Sequence, residues 1–284
     1  MNKSRSVTGF ARRPGFFFGF ILTAAIPPLC VLCSRPAATE VVHADWQRLL
    51  PAAVADACID LYDESSHTFH RYKPELCATG VLPASTFKIF NSLVALDTGV
   101  APDENMLLSW DGRTRSIASW NQDHTLRTAF SNSVVWYYQE LARRIGATRM
   151  QSYLNRAGYG NGDISAGIDQ FWLTGGFRIS PDEQIEFLRR LAHNQLPFKE
   201  RSMNIVRSIM LNAADGDFEL RAKTGLLLEN ESAYGWWVGY LQRGHERLFF
   251  ATLLFAHEGA EVDQTFIDAR KDVTRAAWQS LGWN

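Results

Sequence analysis

Apolar and polar residues alternate over Cys58-Ile59-Asp60-Leu61-Tyr62 and again over Thr68-Phe69-His70-Arg71-Tyr72. The turn-rich Glu64-Ser65-Ser66 lies between the two runs, and the pattern predicts a β-hairpin. From Ser85 onward the period lengthens. Phe87, Phe90, Leu93, Val94 and Leu96 form one apolar stripe at helical spacing, which Thr98-Gly99 brings to an end. A helix-rich stretch follows from about residue 110 to 213, with helices predicted over 133–144, 148–157, 181–194 and 199–211. In the third of these, Pro181-Asp182-Glu183 supplies a proline at the start and an acidic first turn. The last third returns to strands over 219–226, 234–241 and 247–256, the latter two joined across Arg243-Gly244-His245-Glu246. An amphipathic helix over 266–281 closes the pattern. Strands near both ends with helices between them predict an α/β fold of the α+β kind. One mainly antiparallel sheet is fed from both termini and flanked by helices, a helical lobe spans about 110–213, and a cleft between the two is the place to look for chemistry.

The N-terminal residues read differently. Lys3, Arg5, Arg12 and Arg13 precede the apolar run Phe16-Phe17-Phe18-Gly19-Phe20-Ile21-Leu22, and small residues follow at Ala37 and Ala38. That order is the one a secretory signal requires, so residues 1–38 are expected to be a cleaved leader and residues 39–284 a single catalytic domain. The alternative is a retained membrane anchor, since the apolar stretch approaches the lower limit of a span. Arg12-Arg13 hints at twin-arginine export. Neither Cys30 nor Cys33 follows the small residue that a lipid-attachment site wants. Cleavage would remove five of the 29 basic residues and none of the 30 acids, leaving a net charge of −6. It would also leave Cys58 and Cys77 as the remaining cysteines, either bridged in an oxidising compartment or buried as two free thiols. A periplasmic or secreted location follows, with no stable membrane association after processing.

Composition narrows the class further. The 284 residues are 46% hydrophobic and 21% charged, with a net charge of −1. That supports a large core and argues against disorder. With no basic block in the body of the chain, nucleic acid is not an expected partner. His67 and His70, three apart on a predicted strand and without an acid or cysteine cluster around them, do not read as a metal site, and no metal is expected.

The candidate chemistry begins at Pro83-Ala84-Ser85-Thr86-Phe87-Lys88. A hydroxyl and an amine three residues apart at a helix start fall on one face, which suits a nucleophile and its base. Alone, the pattern is weak, because such tetrapeptides arise by chance and Ser85 taken by itself reads as a mere helix cap. Ser133-Val134-Val135 places a second hydroxyl at the start of a later helix. Lys223-Thr224-Gly225 sets a cation, a hydroxyl and a glycine that permits close backbone approach on a strand. The ordered set is far more specific than any member of it.

These residues resemble the penicillin-recognising serine enzymes, and more closely the class D (oxacillinase-type) β-lactamases. The resemblance covers nearly the whole chain after residue 38. It also takes in Tyr159-Gly160-Asn161, Phe171-Trp172-Leu173, Gly235-Trp236-Trp237-Val238-Gly239 and Ala269-Arg270-Lys271. It implies the serine β-lactamase/penicillin-binding transpeptidase-like fold and β-lactam substrates. The resemblance further implies that Ser85 forms an acyl-enzyme and that Lys88, walled by Val134, Val135, Phe87 and Trp172, is N-carboxylated by carbon dioxide and serves as general base. An amine poorly solvated as a cation loses pKa, which favours that reaction. The alternative is an unmodified lysine. No separate cofactor is expected.

Other roles come from the same resemblance. The backbone N–H groups of Ser85 and Leu226 would form the oxyanion hole, Ser133 would relay a proton to the leaving nitrogen beside Lys223, and Trp172 with Val135 would stabilise the carbamate. Thr224, Gly225 and Arg270 would line the substrate carboxylate site, unless Arg270 is an ordinary exposed arginine. Trp120 either borders the cleft or merely packs, Tyr159 orients a loop, and Trp236 and Trp237 fill the core. A β-lactam sensor and a cell-wall peptidase share parts of these motifs but turn over slowly. Segments 103–111 and 226–233 read as loops at the cleft, and the chain as a monomer or homodimer.

Overall fold

The computed structural model describes Gly15 and residues 38–216, 218–229 and 232–283. The leader expectation for residues 1–38 lies almost wholly outside them. From Ala38 onward the chain is one compact unit. It opens with β1 (Thr39–Val42) and a 3-10 turn (Ala44–Leu49), followed by β2 (Val54–Asp63) and β3 (Thr68–Tyr72). Next come α1 (Pro74–Cys77), a 3-10 turn (Ala84–Phe87) and α2 (Lys88–Asp97). A small ladder of β4 (Leu107–Leu108) with β5 (His124–Thr125) precedes α3 (Leu126–Ser131), α4 (Val135–Ile145), α5 (Ala147–Ala157), α6 (Pro181–Ala192) and α7 (Glu200–Ile209). The chain ends with β6 (Leu211–Asp215), β7 (Phe218–Glu229), β8 (Ser232–Arg243), β9 (Glu246–Ala256) and α8 (Gln264–Ser280).

Seven strands make one sheet in the order β1-β3-β2-β9-β8-β7-β6. All pairings are antiparallel except β1 with β3. The sheet is therefore fed from both ends of the sequence, as the hydrophobic pattern predicted. Its central strands are buried on both faces, so Leu248–Leu254 of β9 form an unbroken buried run. One face, including Trp236, Val238 and Phe249, shares a core with the helices, and the other, including Trp237 and Phe250, is covered by α8. Trp236 and Trp237 accordingly point to opposite cores, and both are filled in as packing residues.

Local signals explain most boundaries. Ser180 and Glu183 form a reciprocal capping box with Pro181 at the first helical position, fixing the start of α6. Cys58 of β2 and Cys77 at the end of α1 are joined by a disulfide, resolving that alternative in favour of the bridge. Arg71 on β3 binds the fully buried Asp60 at 3.0 Å, Glu40 of β1 at 2.7 Å and Asp182 of α6 at 2.6 Å. Through it the parallel edge strand is tied to the body. His67 meets the Tyr62 hydroxyl, whereas His70 meets His43, so the two histidines have separate partners.

Three expectations are corrected. Residue 211 does not end a helix; it begins β6, whose five residues are all exposed and carry no periodic signal. Residues 226–229 and 232–233 are strand rather than loop, because β7 and β8 stay paired through Leu226↔Gly235 and Leu228↔Ala233 to the Glu229↔Ser232 pair. The helix expected at Ser133 starts at Val135, because Ser133 has φ of 55° and turns the chain before the helix begins. Replacing both bridged cysteines, C58A/C77A, should cost about 3 kcal/mol by releasing a loop of this length, or about 6–12 °C in Tm. Thermal unfolding against the parent, with and without reductant, checks this.

Candidate active site

The Pro83–Lys88 segment is held from three directions before any side chain acts. Ala84 has φ of 48° and is completely buried, a conformation an L-residue keeps only where its surroundings enforce it. Its N–H donates to the Trp172 carbonyl at 3.0 Å. Thr86 Oγ1 donates to the Pro83 carbonyl at 2.7 Å and accepts from Gln184 Nε2 at 3.0 Å. Gln184 was not anticipated. Its signal was present, however, as a polar residue on the buried stripe of Pro181, Ile185, Leu188 and Leu191.

Within that frame Lys88 Nζ donates to Ser85 Oγ at 2.8 Å. Lys88 is fully buried, and burial together with the nearby Lys223 charge pushes its pKa well below the ordinary lysine range. Its nitrogen lies 5.3 Å from the centre of the Tyr138 ring, a neighbour the sequence did not reveal. Of the expected wall, Phe87, Val134 and Trp172 are fully buried, whereas Val135 is half-buried at the first position of α4. Phe87 and Trp172 stack with ring centres 5.1 Å apart. Trp172 Nε1 is buried and has no hydrogen-bond partner among the described residues. An indole N–H ordinarily finds an acceptor when buried, so this donor needs explaining.

Lys223 Nζ donates to Ser133 Oγ at 3.0 Å and to the Thr224 carbonyl at 2.9 Å. Its pKa is lowered to about 7 by burial, with Arg270 and Lys271 adding repulsion. Ser133, like Ala84, holds a positive φ without being glycine. The backbone around both serines is thus strained, which fits groups held for chemistry better than groups held for packing.

Gly225 is where the strand meets the serine turn. A Cβ there would lie 3.1 Å from the Pro83 carbonyl oxygen, 3.2 Å from Trp236 Cβ and 3.3 Å from Thr86 Cγ2. A Cβ at these distances would be tighter than nearly all real Cβ contacts, so the missing side chain lets β7 seat this closely on the turn. Leu226, next on the strand, is half-buried. The N–H of Ala222 donates to the Met210 carbonyl, and the β6 pairing reaches no further than Arg221, so from Lys223 onward β7 forms the edge of the sheet.

Arg270 is not an exposed surface residue. It is 7% exposed, with Nη1 on the Gly225 carbonyl at 2.7 Å and Nε on the Ile267 carbonyl at 2.7 Å, and burial lowers its pKa to about 10. It pins α8 to the Lys-Thr-Gly strand through these two main-chain bonds. Trp120 donates to the Asn132 carbonyl at 2.9 Å, one residue before Ser133, so it borders this constellation. Tyr159 is buried, with its ring against Phe90 at 4.7 Å. Among the described residues no group of three or more His, Cys, Asp or Glu is placed to hold a metal.

The sequence matches the penicillin binding protein transpeptidase domain over residues 57–271. It is 38% identical over 255 residues to the β-lactamase OXA-20 of Pseudomonas aeruginosa, covering 88% of this chain and 93% of that protein. The chain belongs to the class D β-lactamase family. It is 55% identical over 170 residues to OXA-48 of Klebsiella pneumoniae, although that match spans 60% of this chain and 64% of that protein. Among solved structures, a class D β-lactamase from Nostoc superposes with a TM-score of 0.77 at 40% identity, covering 84% of this chain and 96% of that one. One from Sebaldella termitidis gives 0.80 at 33% identity, covering 86% and 98%. The penicillin-binding transpeptidase/β-lactamase fold expected from the motifs is therefore the fold of this class D chain.

Substituting Gly225→Ala should separate the strand from the serine turn by a few tenths of an ångström. The expected result is a loss of about tenfold or more in the rate of β-lactam hydrolysis with little change in Tm. Steady-state hydrolysis and thermal unfolding on the same preparation test the pair of outcomes.

Proposed function

We propose that this class D chain hydrolyses penicillin-type β-lactams through an acyl-enzyme on Ser85. The observation that carries the reading is the fully buried Lys88 amine 2.8 Å from the Ser85 hydroxyl, beside an indole N–H that lacks an acceptor. A neutral amine adds carbon dioxide with loss of a proton to give a carbamate anion. At Lys88 that anion would supply an acceptor for Trp172 Nε1 and a base for the serine proton. Support comes from the suppressed lysine pKa and from the apolar wall of Phe87, Val134 and Trp172, which excludes competing water.

The remaining residues take complementary parts. Ser85 Oγ gives its proton to the Lys88 side chain and attacks the lactam carbonyl. The developing oxyanion is received by the N–H groups of Ser85 and Leu226, which the close seating of Gly225 on the serine turn keeps together. Each such donor is typically worth about 3 kcal/mol. The lactam C–N bond then breaks, and the nitrogen takes a proton through Ser133, whose hydroxyl Lys223 holds. The substrate carboxylate lies against Thr224 and Lys223, with the buried Arg270 charge behind the strand. In deacylation the same base takes a proton from a water whose oxygen attacks the ester carbonyl; the bond to Ser85 Oγ breaks, Oγ recovers the proton, and the opened product leaves. The location is an exported, oxidising one, supported by the Cys58–Cys77 bridge, and no helix among the described residues is long and apolar enough to cross a membrane.

Many turnovers of a chromogenic cephalosporin per enzyme are expected, with Ser85→Ala inactive. A single stoichiometric burst would instead indicate a sensor or slow peptidase. The carbamate has its own check. On acidification the amine of Lys88 takes up a proton and can no longer add carbon dioxide, so activity should fall and return in part on adding bicarbonate. Carbon-13 NMR after labelled bicarbonate should show a carbamate signal lost in Lys88→Ala; its absence in the active parent removes the modified lysine.

A further inference from the structure

Beyond Thr224, β7 runs into a groove of about 330 Å³ whose lining includes Asn212, Lys223, Thr224, Trp237, Lys271 and Arg275. Its charge is one-sided, with three cations and no Asp or Glu in the lining. Lys271 and Arg275 stand four residues apart on α8, on one face of that helix. Lys271 is half-buried and has no ion pair among the described residues. Arg275 is steered over the groove wall by the Trp237 ring, 5.3 Å from its guanidinium carbon, and touches Asp272 at 3.4 Å, a side chain 69% exposed. A pair so exposed does little to cancel the positive field. The same field reaches Lys223, whose proton affinity both Arg270 and Lys271 reduce.

The order along β7 gives the groove a direction. Leu226, Thr224, Ala222 and Leu220 share one face of the strand at successive two-residue steps of about 7 Å. With the lactam carbonyl near Leu226 and the ring carboxylate near Thr224, the groove receives what a substrate carries beyond that carboxylate. In a cephalosporin the carbon next to the carboxylate-bearing one carries the C3 arm.

We propose that this groove accepts the C3 arm of cephalosporins and favours arms ending in a carboxylate or sulfonate, with Lys271 and Arg275 as specificity-determining residues. The inference rests on the β-lactam reading above. It is tested with two cephalosporins that share one C7 side chain and differ only in a neutral or a carboxylate-bearing C3 arm. The parent should show the lower KM for the acidic arm, a preference that shrinks as salt is raised. K271Q/R275Q should reduce the acidic-to-neutral ratio of kcat/KM by about fivefold to tenfold, and K271E/R275E should reverse the preference. If both double variants hydrolyse the two compounds in the parental ratio, the inference is overturned while the β-lactam reading stands. If the parent turns over neither compound the inference fails, and turnover of benzylpenicillin by the same preparation decides whether the β-lactam reading fails with it.

Discussion

The structure is organised around one costly arrangement, an amine placed out of water against a hydroxyl. A lysine that is fully buried loses most of its hydration, and nothing within its apolar wall offers an opposite charge to restore it. The protein accommodates this by surrounding the amine with rigid aromatic packing in which Phe87, Trp172, Phe171 and Tyr159 fix one another. The same packing carries backbone anchors. The Trp172 carbonyl holds Ala84 in a conformation it would not otherwise adopt, so the wall that desolvates the amine also sets the direction of the neighbouring serine.

A second constraint follows from the first. Ser85 sits on a short turn fixed by the helical side of the molecule, while the Lys-Thr-Gly strand belongs to the sheet, and the two must meet within van der Waals contact. Gly225 permits that contact, and Arg270 holds the strand there from the α8 side by bonding the Gly225 carbonyl. Lys223 then crosses from the sheet to Ser133. Three separate pieces of sequence thus converge because main-chain positions are locked, and the side chains act from fixed points.

Much of this was legible in the sequence, for identifiable reasons. The alternation in β2 and β3, the stripe of α2 and the Pro-Asp-Glu start of α6 are local signals, and each marks an element found in the structure. Ser85, Lys88, Ser133, Lys223 and Gly225 were marked by residue type at motif spacing. What escaped was decided by tertiary contact. β1 and β6 are exposed at every position and are placed by backbone pairing, with the Glu40–Arg71 ion pair added at β1, leaving no hydrophobic period to read. α3 is capped by Thr125 with a threonine at the third position, where the usual capping signature has Glu or Gln. Gln184 and Tyr138 touch the site from helices far along the chain. The seating of Arg270 on a carbonyl is likewise a matter of packing that no motif encodes.

The open edge of β7 carries a liability as well as an opportunity. Unpaired main-chain groups along a sheet margin invite strand addition by any extended polypeptide, a neighbouring copy included. Here the margin begins with a desolvated cation at Lys223, continues through a glycine of poor strand propensity, and is closely backed by the serine turn. These traits discourage a long peptide from zipping alongside while leaving room for a small anionic molecule. The stretch of strand that guards against aggregation is also the stretch left accessible to a small molecule.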